Sequence, residues 1–419
     1  AANITVNHYE VGGSTQLYKP AGSATVAAEN YDGTAKLGLT ENITNKAADI
    51  DNYEYVSVDV TGANGATSPS TTGATTVTYQ TGTQTITYRY RRKNAGNITV
   101  NHYEVGTTTQ LYKPTGSTTP AAENFNGTGK LGLTESLTNK AADIDNYEFV
   151  NVNVSGASGA STPNANGDTT VTYNAGNQVV NYYYRRKNAS SITVHHIEDG
   201  TNTELYTPTG ASGPSPEIIS GNGRLGTNEN LTNRVADIPN FEYVSVDVTG
   251  ANTATTPSAT GATTLTHTTS PQTVIYKYRR KNVGDVLVHH YEAGTTTPLA
   301  NDENLSGVGK SGLTYTTTPK TITDYELVVT PANHTGTYPA TGTTTVVYEY
   351  RRKNAGDVTV HHYIEGTTTP LAPDTPLNGT GKLGLPYTTT NHNIPNYTLV
   401  SVPSNANGTF TTGNQTVTY

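Results

Sequence analysis

Along the first segment of the chain Ile4, Val6 and His8 alternate with Thr5, Asn7 and Tyr9. This is the period-two pattern of a strand with one buried face. YEYVSVDV from Tyr53 and TQTITYRYR from Thr83 alternate in the same way. In the latter, Ile86, Tyr88 and Tyr90 fall on one face and Thr87, Arg89 and Arg91 on the other. These runs are rich in Val, Tyr and Thr, the types that fit a pleated surface. Breaks containing Gly and Pro separate them. Helical periodicity is scarce. NKAADI from Asn45 has room for one or two turns, and Pro319 and Pro395 near the same place in later copies bar a long helix. The pattern predicts an all-β chain with little helix.

The pattern is also repeated. NITVNHYEVG at Asn3 returns at Asn97, then as SITVHHIEDG at Ser191, DVLVHHYEAG at Asp285 and DVTVHHYIEG at Asp357, at spacings of 94, 94, 94 and 72 residues. Five tandem units follow: three long ones over 1–93, 94–187 and 188–281, and two short ones over 282–353 and 354–419, the last cut short in its final strand. The long units carry two main insertions, one containing QLYKPAGSATVAAEN and one containing GANGATSPSTTGATT. RRKNAGN joins the first unit to the second with almost no slack, so neighbours are expected to be stiffly coupled. Five units in line, each set by a strand of about 8 residues, predict an elongated rod on the order of 150–250 Å. Both ends match the interior of other copies, as expected of a slice from a longer array.

Composition narrows the function. Only 33% of residues are apolar and 14% charged, and Cys, Met and Trp are absent. Without cysteine there are no disulfides or cysteine-based zinc sites, which suits an exposed, oxidising setting. No apolar run is long enough to span a membrane, and no signal peptide or anchoring tail is visible, so anchoring segments are expected outside these residues. A net charge of −8 argues against general nucleic-acid binding. No cysteine nucleophile, GxSxG or phosphate-binding glycine loop stands out, so the chain reads as non-enzymatic and without cofactors.

Three sets of residues invite chemistry. His8, His102, His196, His290 and His362 share one register, with a second histidine before the last three. Adjacent strand residues face opposite ways, so each pair is split across the sheet and no metal site is expected. The recurring histidine follows Ile4 and Val6 on the core face, where a partly buried structural role is expected. Thr5 and Gln84, with their counterparts, invite comparison with Thr–Gln ester cross-links, but their alternation places them on opposite faces. A lysine isopeptide fails in the third unit, where Arg224 replaces Lys36. The RRK clusters, with Arg91, Arg92, Arg185 and Arg186, read either as sites for acidic glycans or as a solvated junction that opposes aggregation. In the first insertion, Tyr18 beside Lys19 and Tyr112 beside Lys113 offer a ring for a sugar face next to a cation, and Tyr206 keeps the ring.

DVTVHHYIEGTTTPLAP, then GLPYTTTNHNIPNYTLVSV, then GTFTTGNQTVTY resemble the mucin-binding-protein (MucBP) repeats of Gram-positive surface adhesins. The similarity runs strongly over 282–419 and more loosely over 1–281. It implies a β-grasp-like or related all-β module, an extracellular cell-wall location through segments outside this chain, and multivalent adhesion to mucin or other host glycoprotein glycans. Other cell-envelope components, and homopolymeric or lateral self-association, are further partner classes; nucleic acid and membrane spanning are not expected. The rival reading is a purely structural stalk or filament spacer without a ligand of its own.

Overall fold

In repeat one, β1 (Ile4–Glu10), β2 (Glu29–Tyr31), β3 (Thr40–Ile43), β4 (Tyr53–Asp59), β5 (Thr75–Thr78) and β6 (Gln84–Arg92) follow in order. The computed structural model describes every residue except Ala254. Four of the strands form one sheet in the order β2-β1-β6-β4, and β3 pairs with β5 in a small second sheet. The first and last strands are parallel at its centre, in register from Ile4↔Gln84 to Glu10↔Tyr90. Both flanking strands are antiparallel to them. A parallel pair needs a long crossover, and here the whole repeat lies between β1 and β6. This is an all-β module of the kind expected, β-grasp-like or related.

The same four-stranded order recurs in the next three repeats, and repeat five keeps three strands. Among the described residues helix is confined to one 3-10 turn, Val235–Asp237, in the segment with room for one or two turns. The chain forms two compact units: Ala1–Ser190 with Ser220–Thr227 and His267–Ser270, and Ser191–Ile219 with Asn228–Thr266 and Pro271–Tyr419. No helix among the described residues is long and apolar enough to cross a membrane.

Alternation decides the core. Ile4, Val6, Ile86, Tyr88 and Tyr90 are fully buried, joined by Ile43 and Val77 from the small sheet. A β-bulge between Tyr55 and Ser57 interrupts the edge strand and turns Val56 outward; bulges recur at the same place in repeats two to four. Such irregularity blunts an exposed edge. The turn into β4 carries Asn52 at φ 65°, and Asn146, Asn240, Asp324 and Asn396 repeat it. Asn and Asp tolerate this left-handed conformation better than other side chains with a Cβ.

Both insertions fold onto the scaffold. The first leaves β1 with the Leu17 N–H donating to the His8 carbonyl. The AAEN end of its quoted span is a correction to the sequence alignment: it is scaffold, because Glu29–Tyr31 pairs with β1 as Glu303–Leu305 pairs with the first strand of repeat four. The second insertion is held from below, where the buried Tyr88 hydroxyl donates to the Gly73 carbonyl at 2.7 Å. Repeat four lacks that loop, and its Tyr348 hydroxyl meets the Thr317 hydroxyl at 2.9 Å instead. A buried hydroxyl is costly without a partner, so each repeat type supplies its own.

Candidate functional site

The recurring histidine is completely buried, further than the sequence implied. In repeat one, Tyr90 brings its hydroxyl within 2.8 Å of His8 Nδ1, and Glu29 stands 2.9 Å from Nε2. The Lys46 backbone N–H donates to the same tyrosine oxygen at 2.8 Å. That amide can only donate, so the tyrosine proton is free for Nδ1, and a neutral ring carries its own proton on Nε2 toward the carboxylate. Repeats two and three reproduce the chain with Tyr184–His102–Glu123 and Tyr278–His196–Glu217. Burial by itself would raise the Glu29 carboxyl, but the His8 hydrogen bond and the Lys46 charge hold it below the ordinary carboxylate range. His8 also stacks on Tyr88 at 5.4 Å. The network is enclosed and structural. The carboxylates were missed in the sequence, although Glu29, Glu123, Glu217 and Glu303 stand in one register, as do Lys46, Lys140, Arg234 and Lys320.

The short repeats leave their histidines poorer. Glu303 occupies the register of Glu29 but pairs with Lys320 at 2.7 Å, and His290 Nε2 has no partner. In repeat five Thr375 replaces the glutamate, and His362 Nε2 accepts the His392 backbone N–H at 3.1 Å. Burial holds His290 below the ordinary histidine value; Lys320 adds to the effect, and Glu303 and Asp302 oppose it. Burial and then the neighbouring His392 lower His362. A depressed folded value means the unfolded chain takes up the proton first, so the stability from the neutral ring is present above the ordinary value and lost as pH falls toward the folded one. We expect repeats four and five to lose stability as pH falls below about 6.5. Urea unfolding with segment-resolved hydrogen exchange checks this. A His290→Gln chain whose repeat four keeps the same pH slope would assign it to another group.

Of the second histidines, His195 lies within hydrogen-bonding distance of Glu204, and His289 and His361 pair with Asp302 and Asp374 at 2.7 Å. Each sits opposite its buried neighbour, so the pairs are split across the sheet. Thr5 donates to Asn30, whereas Gln84 is buried and bonds Gly65 and Thr78, so the Thr–Gln pair is likewise divided between faces.

The two arginines at each strand end have different surroundings. Arg91 and Arg185 are exposed and ion-paired with Glu54 and Glu148, a geometry of small stabilising value. Arg92 turns to the next repeat: it donates to the Leu131 carbonyl at 2.9 Å and the Tyr53 hydroxyl at 2.8 Å, with its guanidinium over the Tyr53 ring. Arg186 does the same with the Leu225 carbonyl and Tyr147. Arg280 and Arg352 donate to the carbonyls of Ser311 and Leu383. The link itself is bonded throughout. Lys93 N–H donates to the Asn52 carbonyl, Ala95 N–H to Gly127 and Gly96 N–H to Asn174, while the Asn94 side chain accepts from Gly129 N–H.

Tyr18 is half-buried, edge-on to His8 at 5.1 Å with the Lys46 ammonium 5.4 Å from its ring centre. Tyr112 and Tyr206 are held in the same way by His102 with Lys140 and by His196 with Arg234. Lys19 and Lys113 are exposed. The tyrosines and the arginines are therefore not brought into one site. A hollow of about 340 Å³ does collect Arg185 and Arg186 with Glu104 and Asn188. A larger open groove of about 670 Å³ runs along Val150–Ser155 beside Tyr183 and shares Val105 with that hollow; none of its lining residues is one the sequence singled out.

Among known proteins, Internalin J of Listeria monocytogenes serotype 4b (strain F2365) is 32% identical over 353 residues, covering 82% of this chain and 32% of that protein. Internalin J of Listeria monocytogenes serovar 1/2a (strain ATCC BAA-679 / EGD-e) is 32% identical over 293 residues, 68% of this chain and 29% of that protein. The chain thus spans about a third of the length of these relatives. Among solved structures, the Bacillus anthracis TIE protein aligns at 10% identity with a TM-score of 0.31, covering 68% of this chain and 58% of that one. The MucBP domain matches residues 4–91, 98–185, 191–279, 285–351 and 357–419. With five such domains over nearly its whole length, the chain belongs to the MucBP family and is an all-β tandem-repeat protein.

Proposed function

We propose that the chain is a repeat region of a bacterial cell-surface adhesin, held outside the cell wall and binding mucin-type or other host glycans through several weak sites in series. The five consecutive MucBP domains carry this reading. Cations on the outer surface are the groups available to an acidic sugar: Lys19 and Lys113 in the first insertion, and Arg91 and Arg185 at the strand ends. Arg185, exposed beside a hollow that Arg186 also lines, presents a guanidinium group to solvent, a group suited to carboxylate or sulfate.

A specific observation favours the spacer reading as well. Arg92 and Arg186 are engaged with the next repeat, and the rings of Tyr18, Tyr112 and Tyr206 are packed on their own histidines. The two readings separate on one glycan-array experiment with the full chain. Under the adhesin reading, replacing Lys19, Lys113, Arg91 and Arg185 with Gln abolishes binding to sialylated and sulfated glycans without moving the melting temperature. Replacing Tyr18 and Tyr112 with Ala lowers the melting temperature. A wild-type chain that binds no glycan on the array leaves the spacer.

A further inference from the structure

We infer that each repeat is a mechanical clamp that carries tension along the chain in shear. The first and last strands of every repeat are direct neighbours, hydrogen-bonded and parallel. The chain therefore enters at the start of one central strand and leaves at the far end of the other. Tension between these points slides β1 along β6. All the ladder bonds between them then share the load, and none can open without the others. Pulling the same two strands from one common end would open the bonds one at a time.

Three details fit load bearing. The ladder is long: seven register pairs run from Ile4↔Gln84 to Glu10↔Tyr90, and repeat four extends from Asp285↔Thr343 to Glu292↔Tyr350. Side chains cross-brace it, as His8 meets Tyr90 inside and Asn101 donates to Asn181 at 2.8 Å outside. Tension also leaves the clamp through anchored backbone. Directly after β6, Lys93 N–H is tied to Asn52 while Arg92 grips Leu131 of the following repeat. The inference stands on strand topology and is independent of any ligand.

The test is single-molecule pulling on the full chain, whose lack of native cysteine allows paired thiol handles. Ala1→Cys with Lys93→Cys loads repeat one across its ladder in shear. Ala1→Cys with Gly82→Cys loads the same two strands from a common end; a side chain at Gly82 meets nothing within 4 Å. We expect a severalfold higher rupture force for the first pair at the same loading rate. Equal forces, or a lower force in the first geometry, overturn the inference. The chain is also held by its two ends and its repeats are ruptured in turn. Length gains should be roughly 300 Å for each of the three long repeats and roughly 200 Å for each of the two short ones. Gains well below these values would show that the chain yields outside the clamps, and would equally overturn it.

Discussion

His102→Ala is expected to destabilise repeat two by about 3–5 kcal/mol. The ring is fully buried and joins Tyr184, Glu123 and Tyr182 in one cluster. Truncation leaves a cavity and removes two hydrogen bonds. It also leaves Glu123 with Lys140, at 3.7 Å, as its remaining counter-charge, and separates the Tyr184 hydroxyl from its acceptor. His290→Ala should cost less, because the Nε2 of that ring has no partner to lose and Glu303 is already paired with Lys320. Urea unfolding followed by hydrogen exchange over Ile98–Glu104 and Gln178–Arg186 measures the first cost, and exchange over Asp285–Glu292 the second. A change below about 1 kcal/mol at His102 would mean the network satisfies polarity without holding the fold.

Gly127→Ala is expected to open the junction between repeats one and two, at a cost of about 2–4 kcal/mol. A Cβ at Gly127 would lie 2.3 Å from the Gly96 carbonyl oxygen and 2.5 Å from that of Ala95. Both are backbone atoms, so no rotamer change relieves the clash. The Gly127 carbonyl also accepts the Ala95 N–H, and its own N–H is bound by Asn97 Oδ1, so displacement breaks bonds on both sides. Gly221, Gly307 and Gly379 repeat the close approach at the later junctions. Exchange protection at Ala95 and Gly96 should fall sharply, whereas Gly82→Ala, in open space, should change stability by less than about 0.5 kcal/mol. Preserved protection in Gly127→Ala would show that the linker adapts and that the junction is softer than its hydrogen bonds imply.

Much of the fold was legible because it is local. Period-two alternation marks which side chains are buried, and β6 has Gln84, Ile86, Tyr88 and Tyr90 inward with Arg91 exposed at its end. Adjacent residues on a strand must face apart, so the divided histidine pairs and the separated Thr5 and Gln84 also followed from register alone. The repeat made these readings firmer, since the same pattern recurs five times. The partners of those side chains were not legible. Glu29 was read as insertion because it follows a segment missing from the short repeats, and only its pairing opposite Val6 shows that it is scaffold beneath His8. Arg91 and Arg92 look alike in sequence, yet one is 68% exposed and the other grips the next repeat.

By itself, then, the amino-acid sequence determined the all-β character, the fivefold repeat, the inward and outward faces, and the position of the buried histidine. These depend on neighbours a few residues apart and on self-similarity. Only the tertiary structure decided that the first and last strands lie parallel and adjacent, that Glu29 and Tyr90 flank His8, and that Gly127 is pressed against the preceding link. Those contacts join residues brought together by sheet order and chain reversal. Alternation specifies the face a side chain takes in its own strand and carries no information about which strand lies beside it.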